Sequence, residues 1–428
     1  MSSPSLSSSA APAGHFRWVI CGLLLAATTI NYLDRSTLNV LAGTLRKEIG
    51  WNDVQYGDIN AAFQAAYAIG FVALGWAVDR LGTRFGYAIS LAFWSVAAAG
   101  HALANSVSGF RAARFFLGLG EAGNFPCSIK AVAEWFPRRE RGLATGIFMA
   151  GTNIGAVLAP LCVPWLALNW GWRAAFVATG LAGLLWILVW LPMYRRPEQH
   201  PRVTPAELVF IQSDREEEVK QVRWLDLIPH RQTWAIALVK FLTDPIWWFY
   251  LFWSGPLIQE RFHVDLKNLG LPLVVIYVLA DLGSILGGWF SSTLIKRGWT
   301  VNRARKTAML VCAISVLPVV YVPMTHNMWT AVLLLGLGTA CHQGFAANVF
   351  TLASDMFPRR AVGSVTGLGG MVGAVGGFLF QMAIGRLKEQ TGTHVVVFTI
   401  AATIYLVSVV LMQWITPRLE PAKIREAV

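Results

Sequence analysis

The stretch Phe136-Pro-Arg-Arg-Glu-Arg-Gly-Leu-Ala-Thr-Gly146 returns as Phe357-Pro-Arg-Arg-Ala-Val-Gly-Ser-Val-Thr-Gly367, identical at seven of eleven positions and displaced by 221 residues in a chain of 428. Each copy follows an apolar segment, ends it with Pro and opens the next with a Gly-rich stretch. Proline has no N–H to give and forces the residue before it out of helical geometry, so both copies read as sharp helix-to-helix turns. Outward from them, apolar segments of about 20 residues or more, long enough to cross a bilayer, lie near 18–42, 55–78, 85–106, 109–134, 142–166, 172–193, 232–258, 269–294, 304–323, 328–354, 362–386 and 394–416. Six precede Tyr194 and six follow Arg231.

The chain is 55% hydrophobic and 14% charged, against about 25% charged in soluble domains, and so reads as a polytopic membrane protein. We expect an all-α integral membrane fold of twelve transmembrane helices in two six-helix bundles, 17–194 and 232–416. A charged cytoplasmic linker, 195–231, with Arg202, Asp214–Glu218 and Lys220, joins them, and cytoplasmic tails occupy 1–16 and 417–428. The Ser/Ala/Pro-rich start lacks a basic n-region and reads as a flexible tail rather than a cleaved signal. A parallel six-plus-six repeat implies two facing bundles with the substrate site between them, near the midplane.

The net charge of +12 follows from topology. With residues at span ends counted in the adjoining loop and the termini inside, the cytoplasmic segments hold 23 of the 35 Lys and Arg, the outer loops 8 and the spans 4. This positive-inside bias sets orientation and leaves no need for a nucleic-acid partner. The basic residues Lys296, Arg297, Arg303, Arg305 and Lys306 read as an anchor to anionic headgroups. The five cysteines lie in apolar segments and predict no disulfide. No Gly-x4-Gly-Lys-Ser/Thr loop, Gly-x-Ser-x-Gly elbow, Cys-x-x-Cys pair or His/Glu metal pattern occurs, which argues against ATP drive, an enzyme, a metal or a cofactor.

Charges inside the spans carry the functional signal: Asp34 and Arg35 in the first, Arg114 and Glu121 in the fourth. Such a charge in hydrocarbon costs from roughly 2.5 to over 10 kcal/mol, so it is kept where it faces a protein interior or a watery path. Asn31, Asp34/Arg35 and Asn39 form a polar stripe at helical spacing, and Arg114, Gly118 and Glu121 share a face two turns long, about 10 Å. Two acids and two bases make a neutral resting site. A substrate carboxylate adds negative charge, and a proton taken up by Glu121 or Asp34 restores neutrality and frees Arg35 or Arg114 to grip the substrate. Anion and proton then assist each other, which is symport in thermodynamic terms.

Adding the repeat offset of 221 to Glu121 lands on His342, and His342-Gln343 could hydrogen-bond hydroxyls. Tyr67, with Asn31, is a further binding candidate. The run Asp244-Pro-Ile-Trp-Trp-Phe-Tyr250-Leu-Phe-Trp253 offers rings such as Trp248 and Tyr250 to the apolar face of a pyranose. Between the second and third spans, Gly75-Trp-Ala-Val-Asp79-Arg80-Leu-Gly82-Thr-Arg84 combines turn glycines with Asp79, Arg80 and Arg84, which read as a cytoplasmic gate or lock.

That loop resembles the signature loop of the major facilitator superfamily. Asn31-Tyr-Leu-Asp34-Arg35, Arg114-x6-Glu121-Ala-Gly-x-x-Pro126 and Glu134-Trp-Phe-Pro-x-x-Glu140-Arg141 together resemble its anion:cation symporter family over nearly the whole chain. In the second half, Ala280-Asp-Leu-Gly-Ser-Ile-Leu-Gly-Gly288, His342-Gln343 and Thr351-Leu-x-Ser-Asp355-Met-Phe are similar to bacterial hexuronate transporters. The resemblance implies proton coupling at the positions of Glu121 and Asp34, carboxylate handling at Arg35 and Arg114, and substrate binding at Tyr67. Members differ at the first-helix acid, so the implication is stronger for Glu121. The expected activity is proton-coupled uptake of galacturonate or glucuronate by a monomer in the bacterial inner membrane, with sugar-acid anion, protons and lipid as partners. The alternatives are symport of another organic anion (galactonate, glucarate or an aromatic acid) and, from a different class, a non-transporting membrane sensor.

Overall fold

A computed structural model describes residues 14–213, 224–422 and 424, and among these every regular element is helical. The acidic linker stretch Asp214–Glu218, with Lys220, lies outside the described residues. In the first half run α1 (Phe16–Ile49), α2 (Asp53–Gly100), α3 (Val107–Glu121), α4 (Asn124–Trp135), α5 (Arg138–Trp170) and α6 (Trp172–Met193). Two short helices, α7 (Pro205–Gln212) and α8 (Trp224–Leu227), belong to the linker. The second half comprises α9 (Arg231–Phe262), α10 (Gly270–Lys296), α11 (Val301–Ser315), α12 (Met328–Met356), α13 (Arg359–Thr391) and α14 (Val395–Ile415).

Ten helical stretches among the described residues are long and apolar enough to cross a membrane. The other two expected spans, 55–78 and 109–134, are helical but differently organised. The first is continuous with the next span in α2, bent where Gly82 takes φ 75°, ψ 159°, a conformation with a steric cost for any residue with a Cβ. The second runs as α3 and α4 joined through Ala122–Gly123, whose backbones keep right-handed helical dihedrals, so Glu121 is the last residue of α3 before that junction.

Local sequence sets the boundaries. Asn52 and Gln55 form a reciprocal capping box that starts α2. Ser106, Thr300 and Asn327 accept from backbone N–H groups at the starts of α3, α11 and α12. The repeated motif has one backbone in both halves: Phe136 (φ −123°, ψ 135°) and Phe357 (φ −128°, ψ 146°) end α4 and α12, and Pro137 and Pro358 start α5 and α13. Packing repeats as well, α1 against α5 in one half and α9 against α13 in the other. The halves meet through α1 on α9, α2 on α13 and α5 on α10.

Burial is inverted relative to a soluble protein. Leu185, Leu188, Ile285, Trp289, Val410 and Trp414 stand exposed on the outer helix faces, while Arg35, Arg114, Glu121, Asn31, Asn60 and Gln64 are buried. A bilayer as solvent imposes that distribution. The linker is tied to the first half by the buried Glu207 of α7, which accepts from Arg17 Nη1 at 3.2 Å and from the backbone N–H groups of Phe16 and Arg17. A carboxylate at the start of α1 complements the helix dipole. Arg17 also pairs with Glu140 at 2.8 Å.

Candidate functional site

Gly118 packs against the backbone of Phe63, where a side chain would strike the Phe63 carbonyl. This close approach of α3 to α2 sets Arg114 and Glu121, one turn to either side of Gly118, against α1. Arg35 Nε donates to Glu121 Oε2 at 2.8 Å, and neither side chain is exposed. Arg35 Nη2 donates to Asn31 Oδ1 at 3.3 Å. Arg114 Nη2 donates to the Arg35 carbonyl at 2.9 Å and to Asn60 Oδ1 at 3.5 Å. The rings of Tyr32, Phe63, Tyr67 and Trp248 surround the Arg35 guanidinium with centroids 4.5–5.1 Å away. Phe63 and Phe252 flank Arg114 at 5.1 and 5.3 Å. Trp248 and Phe252 come from the second half, so the cluster lies on the seam between the halves.

The cluster is incompletely satisfied. Arg35 Nη1, Arg114 Nε and Nη1, Glu121 Oε1, Asn31 Nδ2 and both polar atoms of Gln64 are buried without a hydrogen-bond partner among the described residues. An unmade bond to a buried polar group costs about 1–3 kcal/mol, more for a charged one. Three unpartnered nitrogens, carrying five N–H bonds on two guanidinium groups, therefore make a ready seat for a carboxylate. With Glu121 ionised, the Arg35–Arg114–Glu121 group carries a net positive charge.

The structure brings together Arg35, Arg114, Glu121, Asn31, Tyr67 and Trp248. Asp34 is buried outside the Arg35–Glu121 ion pair, neither of its carboxylate oxygens having a hydrogen-bond partner among the described residues; the neutral count of two acids and two bases thus spans two neighbouring environments. His342 Nδ1 lies 2.8 Å from the Tyr405 hydroxyl and its ring stacks on Trp247 at 5.5 Å, within the second half. Gln343 is half-buried beside it. The Tyr250 hydroxyl is buried against Gly338 with no hydrogen-bond partner among the described residues. Of the gate residues, Arg84 donates through Nε and Nη2 to the Leu191 carbonyl at 3.0 and 2.5 Å, and Arg80 is exposed. The side chain of Asp79 lies outside the described residues.

Sequence reasoning passed over Asn60 and Phe63. The signal was there: Asn60, Gln64 and Tyr67 recur at four- and three-residue steps, a polar stripe on an apolar helix.

Contacts between the halves are concentrated at and beyond this cluster, toward the α1 C-terminus. Tyr67 meets Trp248 at 6.2 Å, Tyr56 meets Trp253 at 5.0 Å, and the Tyr56 hydroxyl donates to the Phe252 carbonyl at 2.6 Å. Farther out, four charges alternate in a ring: Arg46 and Asp53 from the first half, Glu260 and Lys388 from the second. Lys388 reaches Asp53 at 2.8 Å and Glu260 at 2.6 Å, Arg46 lies 3.4 Å from Glu260, and Arg46 also pairs with Asp53. His394, in the loop beside this ring, is pushed down to about 4, chiefly by burial and then by Lys388. It therefore stays neutral near pH 7 and adds no charge to the closure.

A family model described as Major Facilitator Superfamily matches residues 24–381. The hexuronate transporter of Escherichia coli K12 is 33% identical over 383 residues, 88% of either chain. A galacturonate transporter of Dickeya chrysanthemi is 36% identical over 291 residues, 67% of this chain and 84% of that one. Among solved structures, a D-xylose-proton symporter is similar in fold, with a TM-score of 0.76 at 14% identity over 95% of this chain and 99% of the other.

Proposed function

The chain belongs to the Major Facilitator Superfamily, and from that premise we propose that it takes up a hexuronate anion, galacturonate or glucuronate, together with protons. It is a multi-pass membrane transporter and not an enzyme. In the proposed reading it is a monomer with twelve spans in two six-helix bundles, in a bacterial inner membrane with both termini cytoplasmic. One observation carries the mechanism: a fully buried Arg35–Glu121 pair on the seam between the halves, with N–H groups of Arg35 and Arg114 left unmet.

Arg35 can serve Glu121 or a substrate carboxylate. While Glu121 is ionised it holds the guanidinium and competes with the incoming anion. A proton on Glu121 removes that competitor, and the substrate carboxylate takes its place in a charge-assisted, bidentate-capable contact. Proton and anion thus favour each other at one residue, a coupling free energy of the kind that makes symport. The buried Asp34 is a second carboxyl that can hold a proton during the cycle. Sealing of the seam by Tyr67, Trp248 and the Arg46–Asp53–Glu260–Lys388 ring supports a state closed on the α1 C-terminal side and entered from the other. Alternating access then needs the halves to rock about the seam.

Counterflow in proteoliposomes with a panel of labelled sugar acids tests the assignment. Exchange of glucuronate or galacturonate, stimulated by an inward pH gradient, is the expected result. Exchange confined to aldonates, aldarates or aromatic acids would transfer the activity to another anion.

A further inference from the structure

One turn along α9 from Trp248, toward its N-terminus, stands a second intramembrane ion pair: Lys240 Nζ lies 2.7 Å from Asp244 Oδ2. The Lys240 ammonium also sits over the Phe350 ring at 4.5 Å. Its stem packs on Gly369 of α13, Asp244 faces Gly373 and Trp248 faces Gly377, so the three side chains follow one seam between α9 and α13. The transport scheme above leaves this pair idle. Its two ends differ: Lys240 is 8% exposed and Asp244 21%, more open than any charged member of the Arg35 cluster.

The register of the halves accounts for that opening. α2 and α9 run antiparallel, pairing Phe63 with Phe252 at 6.0 Å and Tyr67 with Trp248 at 6.2 Å. Asp244 is the next turn of α9 from Trp248, on the side away from this aromatic closure, and its side chain keeps 21% exposure. The Arg35 guanidinium lies 5.1 Å from the Trp248 ring, and Asp244 is one helical turn, about 6 Å, farther along α9. A pyranose ring separates its carboxylate from the hydroxyls on its far side by a similar span.

We infer that Asp244, held by Lys240, is the hydroxyl-recognition subsite for the sugar acid. The carboxylate goes to Arg35 and Arg114, the apolar ring face lies on Trp248, and adjacent hydroxyls donate to the carboxylate oxygens of Asp244. An ionised carboxylate only accepts, and two oxygens match two neighbouring hydroxyls. Lys240 pairs with Asp244 and orients it, and the pair is neutral as a unit, so the subsite selects for hydroxyls without adding net charge against an anion. A ligand that lacks the hydroxyls forfeits its bonds to Asp244 while the Lys240–Asp244 pair stays intact, so the subsite discriminates by what the hydroxyls add.

This inference rests on the hexuronate reading, and the test separates the two. Binding of glucuronate and of cyclohexanecarboxylate, which has the acid and the ring but no hydroxyls, is measured on the purified full-length chain by competition with labelled glucuronate and by intrinsic tryptophan fluorescence. We expect Asp244→Asn to weaken glucuronate at least tenfold and to leave cyclohexanecarboxylate within twofold of the parent. Arg35→Lys should weaken both. Because Asp244→Asn leaves a buried ammonium without its partner, the double variant Lys240→Gln/Asp244→Asn is measured in parallel, with the same selective loss expected. Equal weakening of both ligands in the double variant, or no change for glucuronate, would overturn the subsite while leaving the transport assignment intact. A parent protein that binds cyclohexanecarboxylate but no hexuronate would overturn both.

Discussion

In the proposed reading Glu121 and a substrate carboxylate compete for the Arg35 guanidinium, and its surroundings make that competition consequential. It is fully buried, ringed by four aromatic side chains, bonded to Glu121 through Nε and left with a free Nη1. Burial raises the stakes of every pairing, since breaking a buried ion pair by removing one partner costs about 3–5 kcal/mol, whereas replacing both is far milder. Arg35→Met should therefore lower thermal stability in detergent sharply, and Arg35→Met/Glu121→Gln should recover most of the loss. A double variant no more stable than the single one would show that the pair is not energetically coupled. Arg114 is bound differently: its contacts are the Arg35 carbonyl and Asn60, with Nε and Nη1 free. Arg114→Ala should leave a cavity that lowers stability and should weaken hexuronate affinity by about 1.5–3 kcal/mol, the worth of a charge-assisted bond, or roughly ten- to 150-fold. Equilibrium binding checks this, and unchanged affinity would remove Arg114 from the site.

At the scale of elements, the charged ring matters most. The Arg46–Asp53–Glu260–Lys388 ring joins α1, α2, α9 and α13 at one end of the seam. Arg46 and Glu260 are partly exposed, so screening limits what the ring contributes and salt weakens it. Lys388→Ala should destabilise the closed arrangement by about 1–2 kcal/mol, shifting the open population five- to thirtyfold. Spin-label distances between the α1 and α9 C-termini should lengthen in the variant, and high ionic strength should lengthen them in the parent. Unaltered distances in both would show that aromatic packing alone holds this end shut.

Over the whole molecule, the halves and their junctions were legible because the repeat is backbone-deep: the two Phe-Pro turns share one geometry. The polar residues of the first and fourth expected spans could be read because charge inside an apolar run is costly wherever it stands. Which charge meets which could not. Asp34 and Arg35 are adjacent in sequence, yet a helix sends adjacent side chains about 100° apart; Arg35 pairs with Glu121, and Asp34 is buried outside that pair. The repeat offset gave His342 as the second-half counterpart of Glu121, but not its neighbours: its ring is held by Tyr405 and Trp247 within the second half. Phe63 was hidden for the opposite reason, being an ordinary residue made special by where α2 passes α3.

Competition for Arg35 is the central claim, and it has a direct measurement: the affinity for glucuronate as a function of pH, in the parent and in Glu121→Gln. In the parent, affinity should rise as the pH falls, because the proton on Glu121 releases the guanidinium. In Glu121→Gln, affinity should be high and nearly independent of pH, counterflow should persist, and a pH gradient should no longer drive accumulation. A variant that keeps the parent's pH dependence and still accumulates substrate against its gradient would contradict the account.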